Sequence, residues 1–399
     1  MSFSVKRVLH PVGHGAFFTE QFFADRRNVF NVVYDCGVVY DSLPNLYEEI
    51  DNTFAKSTKS FVDYIFISHL DEDHVNGIEY MIRSGYVTKE TSFVLPFIAE
   101  KYLSIYRTIE NENAHFGLEV IRRSPAGKIY YIMPYSHLEK GDVDRIIRIG
   151  LDGNDERNGN REVSLPSGTK FVYDKIWEYI PFNLHDSASK EFMDAIEDSK
   201  VLDSSDLTHI ESIIFGKLIL PNFEVKEELR KAIEKYDELK RIYNSVGPHR
   251  KGDRKININS LLVISQGIRD FRSTFYLITI PSIPEAFTKT VSGKGSGVYT
   301  GDMNLKDDKD FALFLQILAR WMKDGNRKSL VQIPHHGSST SYNSGFATVD
   351  FGICFVNFNS TKTHLDQNIR HDFFCARKPL IAVTEIDSSR FVERMYLKQ

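Results

Sequence analysis

One short stretch, residues 64–77, limits what this chain can fold into more than any other part of the sequence. It opens with four apolar residues, 64–67, which predict a short buried strand. After Ser68 the order H-L-D-E-D-H, from His69 to His74, places two histidines and three acidic residues at the strand's end. Imidazole and carboxylate groups are ligands that divalent zinc and manganese prefer. The stretch therefore favours a metal site over a solvated acidic loop.

Other metal-ligand candidates follow apolar runs elsewhere in the chain. Asp35 follows residues 31–34, Asp302 closes the segment 297–302, and His335 and His336 follow 329–334. Beside Gly37, the Asp35 carboxylate would suit the orientation of a metal-bound histidine through its second ring nitrogen, and an ordinary turn aspartate is the alternative. Each candidate alone is weak, so the hypothesis depends on the whole set.

Strand patterns alternate with helix patterns, which predicts an α/β fold built in layers. Residues 161–168 are read as a polar, turn-rich segment. The predicted strands cover residues 4–12, 31–34, 64–67, 92–96, 128–133, 175–183, 257–264, 275–280, 297–302, 329–334, 351–358 and 380–384. The predicted helices cover residues 43–56, 78–84, 99–111, 225–242, 311–322 and 369–376.

The charge density rises between the two β-rich parts, which predicts an insertion. We expect residues 1–186 and 256–399 to form two halves of one domain, and residues 187–255 to form a helical insertion ending in a basic loop. That loop carries the cationic side chains that could contact phosphates: Arg250, Lys251, Arg254 and Lys255. A solvated connector is the alternative.

Composition narrows the function classes. The net charge of −4 excludes the global basic field of a dedicated duplex-DNA binder, so any nucleic-acid contact must be local. The three cysteines, Cys36, Cys354 and Cys375, cannot all pair, which favours free thiols in a reducing compartment. We find no apolar signal region and no apolar stretch of membrane-spanning length, and so predict a cytoplasmic protein without membrane contact.

The order of these motifs resembles the metallo-β-lactamase superfamily, above all the branch typified by the hydrolase domain of the bacterial competence DNA-uptake channel. The matching segments are V-G-H-G at 12–15, Y-D-C-G at 34–37, the S-H-x-D-x-D-H-x-x-G segment at 68–77, N-x-S-L leading to Leu261, T-G-D at 300–302 and P-H-H-G-S at 334–338. The resemblance implies an αββα metallo-β-lactamase sandwich with the helical insertion, and metals at one edge between its sheets.

The resemblance also implies roles for individual residues. His69 and Asp71 would bind one metal, Asp73 and His74 a second, and Asp302 would bridge them. His335 or His336 would complete a shell, and His364 would lie at the leaving-group side as donor or acid. These implied roles give the site one or two divalent ions, zinc or manganese, with magnesium also compatible because Asp71 replaces a histidine of the superfamily signature.

Two departures from the branch's pattern qualify the implied site. Ala16 stands where the branch carries an acid. The mid-chain metal-binding histidine of many superfamily members has no clear counterpart, with only His137 and His185 nearby, and a single tightly held ion is therefore an alternative.

We expect a metal-dependent phosphodiester hydrolase, a nuclease in the first instance, that uses an activated water oriented by Asp73. Ser338 and Ser339 beside the site and the basic loop would hold phosphate oxygens of a nucleic acid. A small-molecule hydrolase, acting on a cyclic nucleotide, lactone or thioester, is one alternative. Another is a partner-activated effector, similar to components of bacterial anti-phage defence systems, that docks a protein through residues 187–255.

Overall fold

The computed structural model describes residues 2–98, 113–135, 145–149, 160–185, 260–277, 290–293, 295–323, 329–360 and 365–398, with isolated residues between 191 and 242. The predicted helix over 99–111 and the basic loop lie outside these residues. The predicted helix over 225–242 and the rest of the insertion lie almost entirely outside them.

Within the described residues the first sheet has ten strands, in the order β13-β12-β18-β1-β2-β3-β4-β5-β6-β8, numbered along the chain. From β3 to β8 the neighbours run parallel, and from β13 to β3 they run antiparallel. Its strands are β1 (Phe3–Leu9), β2 (Gly15–Ala24), β3 (Arg27–Val38), β4 (Tyr64–Phe66), β5 (Ser92–Pro96), β6 (Lys128–Ile132), β8 (Glu162–Leu165), β12 (Phe271–Leu277), β13 (Thr290–Gly293) and β18 (Phe391–Leu397).

The second sheet, in the part of the chain that the structure describes, has eight strands in the order β17-β16-β15-β14-β11-β10-β9-β7. The strands from β14 to β17 are parallel, so their carboxyl ends lie at one edge of the sheet. Its strands are β7 (Ile146–Ile149), β9 (Lys170–Tyr173), β10 (Trp177–Leu184), β11 (Ser260–Gly267), β14 (Gly297–Tyr299), β15 (Leu330–Gln332), β16 (Ile353–Asn357) and β17 (Leu380–Val383).

Helices cover the outer face of each sheet. Along the chain they are α1 (Leu43–Phe54), α2 (Glu72–Val75), α3 (Ile78–Arg83), α4 (Asn113–Arg123), α5 (Asp308–Trp321), α6 (Gly345–Thr348) and α7 (Gln367–Ala376). Residues of α1, α3 and α4 pack on the first sheet, and residues of α5, α6 and α7 pack on the second. The layer order is thus helix, sheet, sheet, helix.

The core between the two sheets is rich in aromatic side chains. Phe18, Phe66 and Tyr130 come from the first sheet, and Phe171 and Tyr179 from the second. Phe66 packs on both Phe171 and Tyr179, with ring centroids 5.9 and 5.2 Å apart. Burying such large side chains supplies much of the apolar free energy that holds two sheets face to face.

One buried ionic cluster also joins the sheets. Arg7 of β1 donates to Glu20 of β2 and Glu393 of β18 at 2.7 and 2.5 Å, and Arg7 is fully buried. Glu20 in turn accepts from the hydroxyls of Tyr179 (2.6 Å) and Tyr299 (2.9 Å), which belong to the second sheet. Tyrosine and arginine donors therefore satisfy the buried carboxylate.

The predicted αββα sandwich is confirmed, although several elements differ from the sequence-based prediction. Residues 161–168 are not merely turn-rich, because β8 lies within them and pairs with β6. β2 and β18 were not predicted at all: β2 is buried on both faces over its first eight residues, which hides the alternation of a half-exposed strand. Each predicted half contributes strands to both sheets.

None of the helices in the described parts of the chain is long and apolar enough to cross a membrane.

Candidate metal centre

The candidate centre lies where strand ends of the two sheets meet. β4 of the first sheet leads into the loop that carries His69 and Asp71, and helix α2 carries Asp73 and His74. In the second sheet, β14 leads to Asp302 and β15 leads to His335 and His336. A backbone hydrogen bond from Leu261 N to Ser68 O, 2.8 Å long, ties the two sheets together beside these loops.

The carboxylate of Asp302 lies at the middle of the cluster. Its Oδ2 is 3.8 Å from Nε2 of His69 and 3.7 Å from Nε2 of His335. Its Oδ1 is 3.2 Å from Nε2 of His74 and 3.6 Å from Nε2 of His336. Each oxygen of this one carboxylate thus faces a different pair of imidazoles.

Two further carboxylates lie one on each side of Asp302. Asp71 Oδ2 lies 3.7 Å from Nε2 of His69, on the Oδ2 side of Asp302. Asp73 Oδ2 lies 3.3 Å from Nε2 of His336, on the Oδ1 side. We refer to His69, Asp71 and His335 as the first ligand group, and to Asp73, His74 and His336 as the second.

The second ring nitrogen of each histidine is held by a hydrogen-bonding partner. His69 Nδ1 lies 2.9 Å from Ser68 Oγ, His74 Nδ1 2.8 Å from Asp35 Oδ2, His335 Nδ1 2.8 Å from Ser341 Oγ and His336 Nδ1 3.1 Å from the Asn357 carbonyl oxygen. Such contacts fix the ring orientation and leave Nε2 directed at the centre, the usual arrangement around metal-binding histidines.

Asp35 connects β3 to the loop after β4, which leads to the ligand candidates of the first sheet. It is fully buried in β3 and accepts hydrogen bonds from the Ser68 backbone N–H and hydroxyl, both at 2.7 Å. Its contact with His74 completes a carboxylate–imidazole pair. The backbone at Asp35 has φ +52°, a left-handed conformation that is uncommon outside glycine.

The loop after β15 is also strained. His335, His336 and Gly337 have φ values of +51°, +51° and +73° in succession. Two consecutive non-glycine residues in this region cost free energy that the surrounding contacts must supply, and such strain is concentrated at functional sites. The turn directs the two histidine side chains to opposite sides of Asp302.

Glycine at position 301 allows the loops to approach one another closely. A Cβ on Gly301, which has φ +54°, would lie 2.4 Å from the Ser68 Cβ and 2.7 Å from the Ser260 Oγ. The T-G-D sequence therefore brings the Asp302 backbone against the Ser68 loop in a way that a larger residue would prevent.

The carboxylates and imidazoles at the centre stabilise one another's charged forms. Burial raises the pKa of Asp302, but His74, His335 and His336 outweigh it and hold that pKa well below its usual range. Burial lowers the pKa of His74, whereas Asp302, Asp35 and Asp73 raise it well above normal. Ionised carboxylates are therefore available to a cation.

The donor set fits a divalent metal. Among the described residues, Nε2 of His69 is buried and makes no hydrogen bond, although Asp71 and Asp302 lie near it. The ligand atoms of His69 from the first group, His74 from the second and the shared Asp302 all lie within 4.8 Å of one another. Ligand bonds of about 2.0–2.1 Å to a tetrahedral ion would separate neighbouring ligand atoms by about 3.4 Å, close to the spacings seen here.

Other predicted site residues fall outside this cluster or outside the described chain. Ser338 and Ser339 follow the strained turn and are half-buried, and Ser338 Oγ is 2.7 Å from Thr340 Oγ1. His364, Arg250, Lys251, Arg254 and Lys255 lie outside the described residues, as does His137. His185 lines a small cavity together with Met303, the chain neighbour of Asp302, and burial lowers the pKa of His185 to about 4.

The structure also brings in a histidine that the sequence analysis did not select. His14, in the turn between β1 and β2, lies with its Nε2 3.4 Å from Asp73 Oδ2. Its ligand atoms and those of Asp73 and His336 lie within 4.8 Å of one another. A histidine between two glycines at a predicted strand end was the only signal in the sequence.

Comparisons with known proteins add little to this geometry. No protein-family model matches the sequence, and no curated protein matches it. Among solved structures, the chain is similar to a metallo-beta-lactamase fold protein, YhfI, from Bacillus subtilis, with 9% sequence identity, a TM-score of 0.35 and coverage of 96% of this chain and 97% of that one. A likeness this weak carries no functional conclusion, and the layers and the cluster described above stand without it.

Proposed function

We propose that this protein is a metal-dependent hydrolase of phosphodiesters, with nucleic acid as the favoured substrate. One observation carries the proposal: Asp302 presents one carboxylate oxygen to His69 and His335 and the other to His74 and His336. A carboxylate shared between two ligand groups is an arrangement that suits two ions close together. The motif order resembles the metallo-β-lactamase superfamily, which supports the same reading.

The first ligand group would hold one ion and the second group another, with Asp302 between them. When bound, two divalent ions lower the pKa of a coordinated water to near 7 and stabilise both oxygens of an in-line displacement. Asp71, an oxygen ligand, makes manganese and magnesium compatible beside zinc. Asp35 would act through His74, by keeping its Nδ1 protonated and its Nε2 free to bind.

The chain's own residues would then position the substrate. Asp73, 18% exposed in its side chain, is the most accessible of the three central carboxylates and would orient the attacking water. Ser338 and Ser339, next to the strained turn, would donate hydroxyl hydrogen bonds to phosphate oxygens. His364 would protonate the leaving oxygen, and the basic loop at 250–255 would contact the phosphates of a longer strand.

One feature favours a small-molecule ester as a second candidate. A cavity of about 300 Å³ opens beside Leu70, the residue between His69 and Asp71. Its size suits a small ligand better than a polymer. Its lining combines apolar and charged side chains, among them Leu70, Leu95, Phe97, Leu118, Arg122 and Glu162.

The proposal is tested with metal-free protein reconstituted with Mn²⁺ or Zn²⁺. Single-stranded DNA, RNA and a chromogenic bis-phosphate ester are assayed alongside a lactone and a thioester, and bound metal is measured by elemental analysis. We expect phosphodiester cleavage that requires added metal and that Asp302→Asn reduces to background. Asp350→Asn, which removes an exposed carboxylate, serves as the matched control and should leave the rate unchanged.

The substrate panel separates the two candidates. Turnover of the lactone or thioester without any phosphodiester cleavage would favour the small-molecule reading. Absence of bound metal in the reconstituted wild type would overturn both. Substituting Arg250, Lys251, Arg254 and Lys255 together with glutamine should slow cleavage of long strands more than cleavage of the small ester, if the loop contacts phosphates.

A further inference from the structure

His14 is the residue at the centre to which the motif pattern assigns no role. It lies in the turn between β1 and β2, more than fifty positions before the H-L-D-E-D-H segment in the chain. Its Nε2 is 3.4 Å from Asp73 Oδ2, and its ring centroid is 4.1 Å from that of His336. Asp73 Oδ2 is in turn 3.3 Å from Nε2 of His336.

These separations indicate shared coordination more than a simple ion pair. A hydrogen bond between nitrogen and oxygen is usually about 2.9–3.0 Å long. Ligand atoms around a tetrahedral ion with bonds of about 2.0–2.1 Å stand about 3.4 Å apart. The contacts of Asp73 Oδ2 with His14 and His336, at 3.4 and 3.3 Å, match the second spacing.

The backbone holds His14 at this place. Val39 N donates to the His14 carbonyl oxygen at 3.0 Å, and the Asn357 side-chain amide donates to the carbonyl oxygen of Gly15. The same Asn357 accepts from His336 Nδ1 through its own carbonyl oxygen, so one residue positions both histidines. Gly15, at φ +134°, packs so closely that a Cβ there would lie 2.8 Å from the Asp73 carbonyl oxygen.

We propose that His14 is a ligand of the second ion, beside Asp73, His74 and His336. The inference rests on the proposed metal centre and adds to it a ligand from the amino-terminal turn. His335 in the first group and His14 in the second would each supply an imidazole in addition to the histidines of the H-L-D-E-D-H segment. The His14 side chain is 25% exposed, so the second ligand group reaches the accessible side of the centre.

The test measures metal binding directly, without reference to turnover. The metal-free full-length protein is titrated with Zn²⁺ against a competing chelator, as wild type, as His14→Ala and as His371→Ala. His371 is an exposed histidine of α7 and provides the matched control. We expect two ions per chain in the wild type and control. In His14→Ala the affinity for the second ion should fall at least about 10-fold, because even losing a residue that only hydrogen-bonds to a ligand typically weakens metal binding by that much.

A second variant keeps the proposal testable if His14→Ala folds poorly. In a Cys375→Ser background, which removes the exposed thiol, His14→Cys is loaded with Co²⁺ and its near-ultraviolet spectrum recorded. A thiolate-to-cobalt charge-transfer band, absent from Cys375→Ser alone, would place position 14 in the coordination sphere.

Each remaining outcome has a distinct meaning. Two ions of unchanged affinity in His14→Ala, or no charge-transfer band, would overturn the assignment of His14 while leaving the proposed hydrolase intact. A single ion in the wild type would overturn it too, because no second ion would exist. A wild type that binds no metal would overturn the assignment and the proposed function together.

Discussion

At the scale of single residues, the candidate centre depends on side chains that lie behind its two ligand groups. Asp35 accepts from the Ser68 N–H and hydroxyl and contacts His74 Nδ1 at 2.8 Å. The acceptor role of its Oδ2 requires a proton on His74 Nδ1, so Nε2 is the nitrogen at which a metal would take the place of a proton. The tautomer of His74 is thereby set by a buried acid.

Asp35→Asn should weaken metal binding by about 10–100-fold while the protein stays folded. The asparagine keeps the shape but can present an N–H₂ group to His74, which would then carry its proton on Nε2 and lose its lone pair there. Chelator-competition titration measures the change.

Asp51→Asn is the matched control, because Asp51 accepts from Tyr80 and Tyr86 at 2.7 and 2.8 Å away from the cluster. Equal affinities for Asp35→Asn and wild type would contradict the role given to Asp35.

The sequence indicated most of these residues, and the exception is informative. His69, Asp71, Asp73 and His74 share one short segment, and Asp302, His335 and His336 follow clear apolar runs, so local pattern was enough. His14 stands alone between glycines, and its turn reaches Asp73 because β2 pairs with β3 and β3 pairs with β4, the strand before Asp73. Long-range strand pairing leaves no local trace at such a position.

At the scale of elements, the backbone of the loop after β14 packs against the Ser68 side chain of the loop after β4. Gly301 provides this contact, because a side chain there would collide with Ser68. Gly85 offers a natural comparison: it also has positive φ, at +78°, but a Cβ there would meet no atom within 4 Å. Alanine substitutions at the two positions therefore distinguish the free-energy cost of a left-handed backbone from that of a steric clash.

Gly85→Ala should lower the free energy of unfolding by about 1 kcal/mol, since only the left-handed backbone is penalised. Gly301→Ala should cost at least about 1–2 kcal/mol more and should also weaken metal binding, because the loop that carries Asp302 must move. Urea unfolding with a chelator present measures the first effect, and metal titration measures the second. Equal losses in the two variants would argue against the close contact.

The strands that were easiest to predict are the short apolar ones between helices, such as β4, β5 and β15. β2 was harder because burial on both faces hides its alternation, and β18 because its neighbours in the sheet lie far away along the chain. β18 pairs with β1 at one side and β12 at the other, so that residues 391–397 lie beside residues 3–9. No window of the sequence contains that information.

At the scale of the whole molecule, the ionic cluster around Arg7 joins residues from both ends of the chain. Arg7 contacts Glu20 and Glu393, and Glu20 accepts from Tyr179 and Tyr299. All of them are buried between the sheets. Removing the cation would leave two carboxylates in the core without their charged partner.

Arg7→Met should therefore destabilise the protein by about 3–5 kcal/mol, the cost of breaking a buried ion pair from one side. Denaturant unfolding of the metal-free protein measures the loss. Arg83→Met is the control, since Arg83 is 65% exposed and 3.9 Å from Glu79, and it should change stability by less than about 0.5 kcal/mol. A similar, small effect in both variants would show that the cluster contributes little.

The ligand candidates come from both layers of the sandwich, which has a consequence beyond chemistry. An ion held by Asp73 and His74 from the first sheet and by Asp302 and His336 from the second would add a coordination cross-link between the two sheets. Because only the assembled sandwich offers that ligand set, each bound ion would add its binding free energy to the cohesion of the two layers. Resistance to heat would then track the free metal concentration, and losing the ion would first loosen the rim at which substrate enters.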